Sequence, residues 1–417
     1  VKREWLLLLG SVVLTVAVAL GVVRLVAPEL LGVRVPIDRQ VVQLDKALPP
    51  FYDGVFDADD RAEPKGDSNM VNDPLTGHRR RTLVPENSLP DDERNAPFDL
   101  LGFRNRHVPV AADVVTIGDS QTVGVNATLD GNWPSALQAQ LGPRAPEVYN
   151  ISVGGWGAVQ YLYMFQKALR FRPRVVVVAF YTGNDPADAL HMAYDFAPWK
   201  DLRVLEKKPK LAPNRWPPVA EDLWPVTFPD GLRTVFTAAT RLTSNDRDFP
   251  GTGEAYRIML ESARRMDRAA AEAGVGLVVT VIPTKELVFG PKVGRAGFEA
   301  PADYVKLVRD EGANVRELVK GLSALEHATY VNVAGALQQA ALQGAPIYPE
   351  SDNGHPMPAG YAVIGAALAP AVGAFLPDPV RPGPMLVPNP DDPGQVQVYL
   401  LRYGGVWRFE SESAYVK

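Results

Sequence analysis

Three short motifs in this chain hold residue types suited to acyl chemistry. Gly118-Asp119-Ser120 follows a β-branched run. A serine on a tight strand-to-helix turn presents its hydroxyl above a sheet, with its own backbone N–H pointing into the same space. Gly-Asp-Ser is also a common turn, so the motif alone decides little. Gly183-Asn184-Asp185 follows an almost all-valine run. An asparagine amide there can donate to a developing oxyanion without competing as a base, although Gly-Asn-Asp is again ordinary turn chemistry. The third motif, Asp352-Asn353-Gly354-His355-Pro356, supplies the Asp-x-x-His spacing near the C-terminus. A histidine can take a proton from serine and return it to a leaving group, and a carboxylate three residues earlier can hold its tautomer. His78, His107, His191 and His327 have no partner at a telling spacing and are read as inert. No two histidines stand at metal-ligand spacing and the chain has no cysteine, so neither a metal nor a cofactor is expected.

These motifs need elements to position them. Strands are predicted at 113–117, 148–151, 174–180, 276–282 and 329–333, and helices near 132–141, 157–170, 252–273, 301–324 and 358–375. Alternation of this kind predicts a parallel sheet wrapped on both faces, and it puts the three motifs at strand ends or just beyond the last strand, where open α/β sheets place their sites. The segment from Pro186 to Pro250 carries nine prolines and no sustained period, and reads as an insertion, either a lid or a plain surface excursion. Residues 28–100 read as a juxtamembrane stalk with little regular structure. Residues 377–417 read as a proline-rich tail ending in a β-hairpin around Gly404-Gly405. With 46% hydrophobic and 22% charged residues over 417 positions, the composition is globular. The net charge of −5 and the lack of a long basic run argue against a nucleic-acid partner.

The motifs, taken in the order Ser, Asn, Asp-His, resemble those of the SGNH (GDSL-type) hydrolase superfamily. The resemblance runs over about 101–376 and implies a flavodoxin-like three-layer α/β/α fold. Gly118-Asp119-Ser120-Gln121-Thr122-Val123-Gly124 is similar to the serine block, and Asn150-Ile151-Ser152-Val153-Gly154-Gly155-Trp156-Gly157 to the block that bears the oxyanion glycine. The implied catalytic set is Ser120, His355 and Asp352. The implied oxyanion hole is Ser120, Gly155 and Asn184, with Gly154 as the adjacent alternative to Gly155. Leu101-Gly102-Phe103-Arg104 resembles a phrase of membrane-anchored bacterial members, and Ile282-Pro283-Thr284-Lys285-Glu286 one of the alginate O-acetyltransferase-like branch. Gln121 departs from the hydrophobic residue common after the serine. An Asp-x-His pair upstream of Ser120 is missing, which favours hydrolysis over acetyl transfer.

The uncharged run from Trp5 to Val23 has the length of a spanning helix, with Lys2 and Arg3 before it and Arg24 and Pro28 after it. A cleaved signal with Ala17-Val18-Ala19 at its site, or a buried core helix, are the alternatives. The expectation is a 1–27 anchor contacting the bilayer through 5–27, in a bacterial inner membrane, with the bulk of the chain on the periplasmic side. The expected function is an extracytoplasmic serine esterase acting on O-acyl groups of cell-envelope carbohydrate or lipid. A polysaccharide O-acetyltransferase is one alternative. The other is an accessory subunit of a membrane complex, touching its partners through anchor, stalk or tail.

Overall fold

The computed structural model describes residues 70–80, 97–99, 101–109, 111–142 and 147–377, and the backbone of three strands between 384 and 409. The chain divides into two compact units, Val1–Val55 and Phe56–Lys417, and every described residue belongs to the second. The expected anchor and most of the expected stalk lie outside the described residues. No helix among the described residues is long and apolar enough to cross a membrane.

In chain order, β1 (Met70–Asp73) and β2 (Gly77–Arg80) form a hairpin. Next come β3 (Val114–Gly118), α1 (Ser120–Val123), α2 (Trp133–Leu141), β4 (Val148–Ser152), α3 (Ala158–Ala168) and β5 (Val175–Tyr181). They are followed by α4 (Asp185–Asp195), the antiparallel pair β6 (Trp224–Thr227) and β7 (Arg233–Phe236), α5 (Ala238–Asn245) and α6 (Pro250–Ala273). The domain continues with β8 (Gly276–Ile282), α7 (Lys285–Ala296), α8 (Ala302–Leu322), β9 (Ala328–Val331), α9 (Val333–Leu342) and α10 (Pro358–Gly373). Last are β10 (Pro384–Asn389), β11 (Asp392–Arg402) and β12 (Gly405–Phe409), an antiparallel set in which Arg402 pairs with Gly405.

The central sheet is five-stranded and parallel, in the order β4-β3-β5-β8-β9. Read by position in the sheet this is 2-1-3-4-5, the flavodoxin-like winding, whose crevice opens at the carboxyl ends of the first and third strands. All seven residues of β5 are buried because both faces are covered. Val175, Val177, Ala179 and Tyr181 point into the cluster that includes Leu137, Leu337, Ile364 and Leu368. Alternate residues face the other layer, where Phe180 meets Tyr161. α10 seats closely on α2: a Cβ at Gly365 would lie 2.7 Å from the Leu137 amide nitrogen.

Two expectations are corrected. Residues 70–80, assigned to an irregular stalk, form a tight hairpin, because Asp73 Oδ1 accepts from the N–H groups of Leu75 and Thr76 and Gly77 takes φ +76°. Residues 186–250, though without a sustained sequence period, are not irregular. They contain α4, β6, β7 and α5, and Pro186 and Pro250 occupy first-turn positions of α4 and α6, where a missing N–H costs nothing.

Candidate active site

β3 ends at Gly118, where any Cβ would overlap the Thr122 side chain, so glycine alone lets the chain fold straight back into α1. Asp119 caps that short helix, its Oδ1 accepting from Gln121 N at 2.8 Å. The turn leaves Ser120 at the carboxyl edge of the sheet. Its Oγ lies 2.8 Å from His355 Nε2 and 3.3 Å from Asp119 Oδ2, so the imidazole is the closer acceptor.

The other imidazole nitrogen does not meet Asp352. Asp352 is exposed, and Nδ1 instead lies 2.7 Å from Asn353 Oδ1. The physical reason is an Asx turn: Asn353 Oδ1 also accepts from His355 N at 3.0 Å, so a side chain two residues back is drawn onto the ring while one three back points out. That backbone N–H needs an acceptor and so fixes which way round the amide stands. Asn353 Nδ2 then donates to Asn126 Oδ1 at 2.9 Å, and Asn126 Nδ2 donates to His355 O at 3.0 Å. A closed ring of hydrogen bonds thus runs through Asn126, Asn353 and both backbone polar groups of His355. It puts the imidazole proton on Nδ1 and leaves Nε2 free to accept from Ser120.

Two buried cations, Arg104 and Lys285, and the half-buried Arg241 stand around this ring. Arg104, from the Leu-Gly-Phe-Arg phrase, donates to the carbonyls of Val123, Gly124 and Ala127, which shapes the loop bearing Asn126 at φ +72°. Lys285, 1% exposed, donates to Val235 O, Ser351 O and Asn353 O at 2.6, 2.9 and 3.2 Å, anchoring the histidine loop from below. Arg241 approaches Gly354, where a Cβ would lie 2.8 Å from its Nη2. Burial, with the charges of Arg241 and Lys285, lowers the His355 pKa to about 4, so the ring is neutral at pH 7.

Opposite the imidazole are the oxyanion candidates. Gly154 lies against Ser120, and Gly155 has φ +77°. Among the described residues, no protein acceptor takes the N–H of Ser120 or of Gly155. Asn184 stands at the head of α4 and donates one amide hydrogen to Asp188 Oδ2 at 2.7 Å. Burial raises Asp188 to about 6, and the bond to Asn184 opposes that shift. No group of three or more His, Asp or Glu side chains among the described residues is placed to hold a metal ion.

The family model for the GDSL-like lipase/acylhydrolase family matches residues 116–363. The chain belongs to the GDSL-like lipase/acylhydrolase family. Membership makes it an enzyme of the serine esterase type. No curated protein matches it. Among solved structures, TesA is 15% identical and aligns over 63% of this chain and 99% of its own, with a TM-score of 0.33. A GDSL-like lipase from Bacteroides thetaiotaomicron is 12% identical over 63% and 87%, TM-score 0.32. An acetyl xylan esterase from Geobacillus stearothermophilus is 12% identical over 62% and 94%, TM-score 0.35.

Four residues have places at the GDSL site that the sequence reading does not give them. Asn353 was passed over for the carboxylate beside it, although Asn-x-His is itself an Asx-turn pattern. Asn126 acts on the histidine loop from 229 residues away and leaves no local trace, and Lys285 stands in the Ile-Pro-Thr-Lys-Glu phrase, which by itself does not tell of a hold on that loop 68 residues on. His78, read as inert, lies with Nε2 2.9 Å from Gly154 O.

Proposed function

We propose that the chain hydrolyses carboxylic esters through Ser120, His355 and Asn353, with Asn353 in the place expected for Asp352. His355 Nε2 takes the Ser120 proton as Oγ attacks the ester carbonyl. The resulting oxyanion is met by the N–H groups of Ser120 and Gly155 and by the Asn184 amide. The intermediate then collapses, and the alcohol leaves with the proton from Nε2. Water, deprotonated by the same nitrogen, releases the acyl group as a carboxylic acid and restores the serine. Asn353 holds the proton on Nδ1 throughout, the orienting part of a triad acid's work without its charge. The observation that carries this reading is the 2.8 Å contact from Ser120 Oγ to a histidine whose far nitrogen is locked as a donor.

The setting belongs to the same proposal. A single-pass anchor at 5–27 holds the enzyme in a bacterial inner membrane with its bulk on the periplasmic side, where O-acyl groups of envelope carbohydrate or lipid are within reach. The hydrophobic run supports this. The experiment is hydrolysis of a short-chain aryl acetate by wild type and Ser120→Ala, with fluorophosphonate labelling followed by mass spectrometry. The expected result is activity and a label on Ser120 in wild type and neither in the variant. Equal, negligible rates and no label in both would transfer the case to the accessory-subunit reading.

A further inference from the structure

Val153-Gly154-Gly155-Trp156 closes a β-turn: Trp156 N–H donates to Val153 O at 3.3 Å, and Gly155 at the third position has φ +77°. Positive φ at that position, with Gly154 outside the positive-φ region, defines type II. Types I and II differ by a flip of the central peptide, here Gly154–Gly155. With glycine on both sides of that peptide, no Cβ opposes either form. The flip exchanges the directions of the Gly154 carbonyl and the Gly155 N–H. One form presents a donor to the serine side, and the other presents a carbonyl oxygen, which repels an oxyanion.

The β1–β2 hairpin stands on one side of this peptide. His78 Nε2 lies 2.9 Å from Gly154 O, and a carbonyl only accepts, so Nε2 carries the proton. The ring also borders the next residue, since a Cβ at Gly155 would lie 3.4 Å from His78 Cε1 and Nε2. A trans peptide points its C=O and N–H in opposite directions. With the carbonyl held against the hairpin, the Gly155 N–H is turned away from it. Ser120 borders the same turn, its Cβ 3.5 Å from where a Gly154 Cβ would stand.

We propose that His78 is a positioning residue that holds the Gly154–Gly155 peptide with its N–H toward the oxyanion, making the hairpin part of the working site. The inference rests on reading Gly155 as an oxyanion donor. The hairpin lies outside the 116–363 family match, so this contact is a feature of the chain beyond the matched domain. Its hold on the domain does not depend on the imidazole. Asp73 and Arg79 form a buried pair at 3.1 Å. The carbonyls of Leu75, Thr76 and His78 accept from Trp199 Nε1, Gln160 Nε2 and Trp156 Nε1. Replacing the ring therefore removes the carbonyl's donor and leaves the hairpin in place.

The test uses the full chain as wild type, His78→Ala, His78→Gln and Ser120→Ala. The readouts are kcat and KM for an aryl acetate, the inhibition constant of phenylboronic acid, whose tetrahedral serine adduct puts an oxygen in the oxyanion hole, and the melting temperature. His78→Ala is expected to lower kcat about tenfold, less than outright loss of an oxyanion donor. KM should stay within about twofold, while the boronate constant rises by a factor similar to the fall in kcat. His78→Gln, which keeps an N–H donor, should recover most of both. Wild-type kcat and boronate affinity in His78→Ala, with Ser120→Ala inactive, would overturn this inference alone. Equal losses in both His78 variants together with a lower melting temperature would also overturn it, since the hairpin would then act only as a brace. An active Ser120→Ala would instead remove the site reading on which the inference stands.

Discussion

His355 has an amide, not a carboxylate, against Nδ1, and no carboxylate among the described residues is hydrogen-bonded to the ring to favour its protonated form. Burial, Arg241 and Lys285 all favour the neutral form. The base is therefore competent well into acid. The kcat/KM profile should rise on its acid limb with an apparent pKa of about 4, below the ordinary histidine value of 6.5. Asn353→Asp should shift that limb upward, because a carboxylate at Nδ1 stabilises the imidazolium. A wild-type limb near the ordinary value, unmoved by the substitution, would contradict this account. The serine and the histidine were legible because each stands in a turn motif beside a strand or helix signal. The partner of Nδ1 lies one residue from the expected place: a rule about chemical type favours Asp352, while turn geometry puts Asn353 against the ring. His78 was not legible, since its contact spans 76 residues of sequence.

At the scale of elements, the five strands and the long helices α2, α3, α6, α8 and α10 follow from periodicity. The elements not foreseen have identifiable reasons. α4 carries Pro186, which reads as a breaker, as its second residue, inside the first turn. α7 contains Pro291 and two glycines, which lower its propensity, yet Thr284 caps it and Val288, Phe289 and Val293 bury its inner face. The contact between α2 and α10 gives a prediction whose sign magnitudes decide. A mid-helix Gly→Ala change ordinarily gains about 1 kcal/mol. At Gly365 the new Cβ would lie 2.7 Å from Leu137 N and 2.9 Å from Ala136 Cβ, and overpacking of that kind costs about 1–3 kcal/mol. Gly365→Ala should therefore lower the urea midpoint with the slope unchanged. A raised midpoint would mean that the two helices part at little cost.

Across the whole molecule, several carboxyl groups are folded where water cannot reach them. Burial raises Asp99, Asp119 and Glu311 to about 7 each. A folded-state pKa above the unfolded one means that the native state holds the proton more tightly. The associated stability is full below the unfolded values near 4 and is lost as pH rises through about 7. His355 works the other way, adding stability as pH rises from about 4 to 6.5, but it is one group against these three and against Asp185 and Asp188, which burial also raises. The protein should unfold at lower urea concentration at pH 8 than at pH 5, and Glu311→Gln should narrow the gap; a midpoint that rises toward pH 8 would refute the assignment. The β1–β2 hairpin has one more consequence. Three of its carbonyls are the acceptors for side chains of Trp156, Gln160 and Trp199, all inside the matched domain or the segment it encloses. Homology and physics thus draw different borders in this polypeptide: a version trimmed to the matched stretch would keep the serine yet lose the first two residues of β3 and leave these three donors without their acceptors.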